Sequence, residues 1–195
     1  ARLSRVRALT AGINSLVVRV SGRCELLEGV CRIAVEKGGF AVAWIGMVEN
    51  GAVQSPMAAR YGGTTAYREQ LQSKVASDPA QFIPLLDAIS AGRPWVINDL
   101  EAISEMPLGA EAIAIGLRAR VALPLRIDGR VVAVFGLASA QVGIFDEEEQ
   151  SLLMEMADDV SFALDHIGKT EQLAFLNYYD PLTGLANRRL FLDRL

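Results

Sequence analysis

Ala122-Leu123-Pro124-Leu125-Arg126-Ile127-Asp128-Gly129-Arg130-Val131 reads as a tight reversal between two apolar runs. Asp-Gly supplies the pair of left-handed residues that a two-residue hairpin turn needs. The flanking runs, 120–127 and 131–138, are too apolar for strands with one wet face, which predicts a hairpin covered on both sides. Upstream, Glu49-Asn50-Gly51 joins runs 40–48 and 53–61 in the same way, so a second hairpin is predicted there.

Between the hairpins the pattern is less regular. It predicts a helix near 64–76, another near 80–91 ended by Gly92, a short strand at Trp95-Val96-Ile97, and a helix near 109–116 after a polar loop. Both ends of the chain read as helices. Residues 3–20 carry Val6, Ile13 and Val20 seven apart, with Leu3, Leu9 and Leu16 between them. Ser21 is placed to cap a second helix bearing Leu27, Val30, Cys31 and Ala34, closed by Gly38-Gly39. The last helix is expected to start at Asp146, with Glu149 completing a capping box and Glu147 and Glu148 favouring the positive end of the dipole. Leu153, Val160, Ile167 and Ala174 then form a line of sevens, and Met156, Ala163 and Thr170 a weaker second line. So much apolar surface on one helix predicts that part of it meets another helix, and helices 3–20 and 146–176 are expected to pair in a homodimer.

A chain of 195 residues fits one ordinary domain with flanking helices, and 51% hydrophobic with 22% charged residues is globular rather than disordered. Net charge is −4 with the basic residues scattered, which argues against nucleic acid as a partner. No uninterrupted apolar run of about 18 residues exists, so no membrane contact is expected of this stretch. The chain begins at Ala1 without Met, which suggests a piece of a longer protein. Cys24 and Cys31 lie a heptad apart, about 10 Å along a helix and too far for a disulfide; both are expected to be small buried apolar residues in a reducing, cytoplasmic setting.

Three strings in order carry a family resemblance: Ala91-Gly92-Arg93-Pro94-Trp95-Val96-Ile97-Asn98-Asp99, the hairpin string quoted above, and Phe145-Asp146-Glu147-Glu148-Glu149 with Leu152-Leu153. Together with the element order they resemble a GAF domain. That resemblance implies an α+β fold: a central antiparallel sheet, the N- and C-terminal helices on one face, and a ligand pocket on the other, covered by loops and short helices. A second string, Tyr179-Asp180-Pro181-Leu182-Thr183-Gly184-Leu185-Ala186-Asn187-Arg188-Arg189, resembles the opening of a GGDEF domain, the module that condenses GTP into cyclic di-GMP. The residues alone give a turn at Pro181 and Gly184 and a helix capped by Asn187. The expected organisation is an N-terminal dimerisation helix over 1–20, a sensory GAF domain over 21–167, a connecting helix over 168–178 and the start of GGDEF over 179–195.

A pocket in such a domain would draw on Trp44, Tyr61, Trp95, Asn98, Asp99, Arg118 and Arg120 to hold a small-molecule ligand. Each also has a plain structural use. Trp44 suits a core, Asp99 suits a turn, and Arg118 and Arg120 suit pairs with Glu111 or Asp99. No cofactor is expected. Bilin-binding relatives use a cysteine beside a histidine, and the single histidine here, His166, lies on the exit helix. No C-x-x-C pair offers a zinc site, and Gly62-Gly63 lacks the Lys of a phosphate loop. His166 as a phospho-acceptor lacks the acidic-then-basic surroundings that such a site would need. The resemblances together imply a regulatory module of a bacterial diguanylate cyclase-like protein, itself without catalytic residues, acting on a downstream GGDEF domain. A ligand-free dimerisation scaffold, with a degenerate GGDEF domain or an added phosphodiesterase domain, stays open beside it.

Overall fold

The Asp128-Gly129 reversal places both residues in the left-handed region, at φ 50° and 75°, in a computed structural model that describes residues 2–54, 57–77, 82–103, 109–178 and 185. This turn joins β5 (Ala119–Ile127) to β6 (Arg130–Ser139), paired antiparallel with a bulge at Leu125/Arg126. Asn50 and Gly51, at φ 51° and 74°, turn β1 (Val42–Glu49) back into β2 (Ala52–Val53). The expected single strand over 53–61 is two pieces, β2 and then β3 (Ala59–Gly62), both on the same edge of β1. Pro56 lies between them, outside the described residues, and proline has no N–H to give to a ladder. With β4 (Trp95–Ile97) beside β5, the sheet is antiparallel throughout, in the order β2-β1-β6-β5-β4.

Strand alternation sends every second side chain to opposite faces. Ala43 and Ile45, Ala133, Phe135 and Leu137, and Val121, Leu123 and Leu125 face a core shared with α1 (Arg2–Val17), α2 (Arg23–Glu36) and α6 (Glu147–Tyr178). Val42, Val134, Ala138 and Ala122 face a second core under α3 (Thr65–Ser77), α4 (Ile83–Ser90) and α5 (Gly109–Ala114). Both faces of the hairpin are thus covered. The architecture is α+β, with the terminal helices on one side and short helices and loops on the other.

The helices fit closely where glycine removes a side chain. A Cβ on Gly12 would lie 2.8 Å from Ile33, and one on Gly29 2.7 Å from Leu16, so α1 and α2 approach where their glycines permit. α6 begins as expected: Asp146 Oδ1 accepts from the Glu149 N–H at 2.9 Å. α2 differs, because its N-cap is Gly22 with no side-chain cap bond, and Ser21 stands one residue outside. Cys31 is buried, but Cys24 is exposed, along with its neighbours Arg23 and Glu25 at the start of α2. The line of sevens on α6 is used inside the chain: Leu153, Val160 and Ile167 pack on the sheet and on α1 and α2, while Ala174 is exposed. Apart from Leu185, the GGDEF-like string over 179–195 lies outside the described residues. Among the described residues no helix is long and apolar enough to cross a membrane.

Candidate ligand-binding site

Between the sheet and the α3–α4 cover lies a cavity of about 400 Å³. That volume falls in the range of small-molecule sites. Its floor is Trp44 on β1, and its sides include Trp95 and Ile97 on β4 and Arg120 on β5. Trp44 sits directly across from Gly136 on β6. A Cβ on Gly136 would overlap the indole at Cε2, Nε1 and Cζ2, so the ring lies flat over the position that a side chain would fill. Gly46, next but one to Trp44, leaves space on the same face, where a Cβ would meet Val53 at 2.5 Å and the indole at 3.3 Å. The missing side chains turn a bulky tryptophan into a flat wall.

The cover supplies the polar end. Thr64 accepts from the Tyr67 N–H at 3.1 Å and so caps α3, fixing Tyr67 in the helix's first turn. Tyr67 is 3% exposed, and its hydroxyl oxygen accepts from Arg120 Nη2 at 2.7 Å, with the guanidinium carbon 6.0 Å from the phenol ring centroid. Burial pushes the Tyr67 phenol above its ordinary value although Arg120 pulls the other way, so it stays protonated at neutral pH. The described lining has no carboxylate, thiol or imidazole. Aromatic walls with one cation at an end are a binding arrangement, suited to a flat ligand with an anionic or acceptor group.

Trp44, Trp95 and Arg120 are therefore brought together, and the other candidates are placed elsewhere. Tyr61 is 37% exposed at the β3 edge and donates to Glu36 at 2.8 Å, a bond that raises its pKa. It borders an open groove between α2 and β3 that includes Glu25, Glu28, Arg32 and Arg60, a wet and mixed-charge surface. Asp99 makes a turn, accepting from the Glu101 N–H at 3.0 Å. Arg118 donates to the carbonyls of Ile113 and Leu117 at 3.2 and 3.0 Å and pairs with Glu101 at 3.5 Å, holding the end of α5. Asn98 bonds to the backbone of Phe145. Among the lining residues that sequence reasoning missed are Tyr67, Leu71, Phe82 and Leu85, from α3 and the start of α4. Their available signal was slight: Tyr67 and Leu71 are four apart, one inward stripe on an otherwise polar helix. Among the described residues no group of His, Cys, Asp and Glu is arranged to hold a metal ion.

A family model described as GAF domain matches residues 23–165. No curated protein matches the chain. Among solved structures, a free methionine-R-sulfoxide reductase from Neisseria meningitidis is similar with TM-score 0.64 and 17% identity, covering 85% of this chain and 91% of that one. A domain of a putative two-component sensor histidine kinase from Sinorhizobium meliloti has TM-score 0.61 and 14% identity, covering 78% and 97%. The GAF domain of a phosphoenolpyruvate-protein phosphotransferase from Coxiella burnetii has TM-score 0.62 and 12% identity, covering 88% and 98%. At these identities the likeness is one of fold.

Proposed function

The chain belongs to the GAF domain family, and we propose that its residues 21–167 sense a flat small molecule and control a downstream GGDEF domain that begins at residues 179–195. The observation that carries the sensing half is the cavity, with Trp44 laid flat by Gly136 and Arg120 set at one end. A cavity of about 400 Å³ between aromatic walls favours a ligand over a scaffold that fills its own interior. The output half rests on the Asp180-to-Arg189 string, and the parent protein is then a bacterial diguanylate cyclase-like enzyme whose catalytic residues follow Leu195.

A homodimer through the terminal helices completes the reading. Its support is that Phe162 is 72% and Leu173 64% exposed on α6. Eleven residues bring the helix back to the same side within about 20°. Ligand binding would shift the population between two packings of these helices and so set the distance between two output domains.

The sensing half is tested by thermal shift with indole-3-acetate, salicylate and adenosine monophosphate as probes. A saturable rise, equivalent to about 2.7 kcal/mol at a hundredfold excess over Kd, is expected for at least one of them. It should disappear in Arg120→Met. No rise with any probe, or a rise that Arg120→Met leaves intact, refutes this assignment. Cyclic di-GMP formation from GTP by the longer natural chain tests the output half, and light scattering that finds only monomer at high micromolar concentration refutes the dimer.

A further inference from the structure

Asn98 directly follows β4, the strand that walls the cavity, yet its three hydrogen bonds reach the segment that leads into the exit helix. Its side-chain Nδ2 donates to the Phe145 carbonyl at 2.9 Å, and its Oδ1 accepts from the Phe145 N–H at 2.9 Å. Its own carbonyl accepts from the Gly143 N–H at 2.8 Å. The amide thus pairs with one residue's backbone as a neighbouring strand would, 47 positions away in sequence. Phe145 immediately precedes Asp146, the N-cap of α6, and its carbonyl also accepts from Gln150 Nε2 at 2.7 Å, inside the first turn. The Phe145 ring is fully buried and stacked on Phe40, with centroids 6.0 Å apart. On the other side of Asn98, Trp95 and Ile97 line the cavity.

We propose that Asn98 is a positioning residue that couples the β4 wall of the cavity to the first turn of α6. A side chain displaced at Trp95 moves β4. The two-bond clasp passes that movement to Phe145, and the shared carbonyl passes it to Gln150 and the helix start. The short path matters because no residue of α6 is among the described lining of the cavity: α6 packs on the opposite face of the sheet, in the core that takes in Val121 and Leu137 from beneath. The proposal depends on the cavity being where a signal begins, but its test needs no ligand, so it can fail while ligand binding stands.

The test is residue-resolved amide hydrogen exchange on the 195-residue chain, with Trp95→Ala as the perturbation of the wall. In the otherwise native chain, Trp95→Ala should change exchange of Phe145 and of residues 149–151 by roughly twofold to thirtyfold, the span of coupling energies for such networks. Asn98→Ala alone should speed the Phe145 amide about tenfold, the effect of one lost hydrogen bond. In the Asn98→Ala background, Trp95→Ala should then add nothing at residues 149–151. Asn98→Asp keeps the oxygen that accepts from the Phe145 N–H but sets an oxygen against the Phe145 carbonyl, so it should retain more Phe145 protection than Asn98→Ala and less than the native chain, which separates loss of the bond from loss of the fold. Amides of β6 serve as the internal control. An equal response to Trp95→Ala with and without Asn98, or no response in the native background, overturns the proposal. Global unfolding of both Asn98 variants overturns it too, since Asn98 would then be a fold-wide stabiliser.

Discussion

Replacing Gly136 with alanine puts a methyl group where the Trp44 indole now lies, and the two cannot share the space. Backbone on β6 is held by ladders on both sides, to β1 and β5, so the indole must move, and the cavity that it borders gives it room. A tryptophan buries about 150–250 Å². One face rests on the sheet, so about half of that contact, 75–125 Å², is lost when the ring lifts; at about 25 cal/mol per Å² this costs about 2–3 kcal/mol. Alanine in a strand recovers about 0.5–1 kcal/mol relative to glycine. The net expectation for Gly136→Ala is a loss of about 1–2.5 kcal/mol in urea unfolding followed by circular dichroism. The decisive comparison is the same substitution in Trp44→Ala. With the indole gone the clash is gone, and Gly136→Ala should become stabilising by about 0.5–1 kcal/mol. The sign of the effect should therefore reverse. A loss of the same size in both backgrounds, or no loss in the native chain, would refute the flat-indole account of the cavity floor.

Other consequences concern the helix side of the sheet. Burial, with Glu28 adding to it, pushes the Cys31 thiol far above its ordinary value of about 8.5. Above that pH the unfolded chain gives up the proton and the folded chain keeps it, so stability falls by up to about 1.4 kcal/mol per pH unit. Cys31→Ala should reduce the slope of urea midpoint against pH between 9 and 11 by one proton's worth; an unchanged slope counts against a buried neutral thiol. Ser161 accepts from the Arg126 N–H at 2.9 Å, beside the β5 bulge, and donates to the Ala157 carbonyl at 2.7 Å. Ser161→Ala leaves that N–H without its partner and should cost about 1–3 kcal/mol, checked by the same unfolding curve. Asp146→Ala removes the α6 cap and should cost about 1 kcal/mol, with faster exchange of the Glu149 amide as its local mark.

Where local chemistry decides, the sequence was sufficient. Asn50-Gly51 and Asp128-Gly129 must turn because few other residue pairs tolerate two left-handed positions, and both do. Asp146 must cap because its side chain reaches an amide three residues on. Elsewhere the deciding partner is distant. Arg118 and Arg120 are two apart and would share a strand face, but β5 starts at Ala119. Arg118 is therefore free of strand alternation and turns to α5, while Arg120 points into the cavity. The sevens on α6 are real, yet a repeat of sevens does not say whether its partner is another chain or the helix's own sheet. Here Leu153, Val160 and Ile167 rest on the sheet and its helices. Trp44 was legible as an aromatic on a strand, but its flatness depends on Gly136, a partner fixed only by the register of β1 on β6. Tyr67 was missed for a related reason. A mostly polar helix becomes a cavity roof only through what lies beneath it.

The division of β5 favours the ends of strands as the route for the coupling proposed above. Leu123 and Leu125 belong to the helix-side core and Val121 packs there while also bordering the cavity, whereas Arg120 and Ala122 face the cavity. A ligand above the sheet therefore never touches α6, and packed interiors yield little to pressure through a strand. Displacement along the sheet is easier than displacement through it. Two places convert such a slide into a pull on the exit helix: the Ser161 bond beside the bulge in β5, and the Asn98 clasp at the end of β4. Ser161 grips α6 in mid-helix, where the surrounding side chains are already fixed by the core. The Asn98 clasp meets α6 at its first turn, where the Glu149 amide depends on Asp146 instead of on a preceding turn and the Phe145 carbonyl accepts from Gln150. A small shift there re-aims the whole 32-residue helix, about 48 Å long, whose far end emerges from the domain.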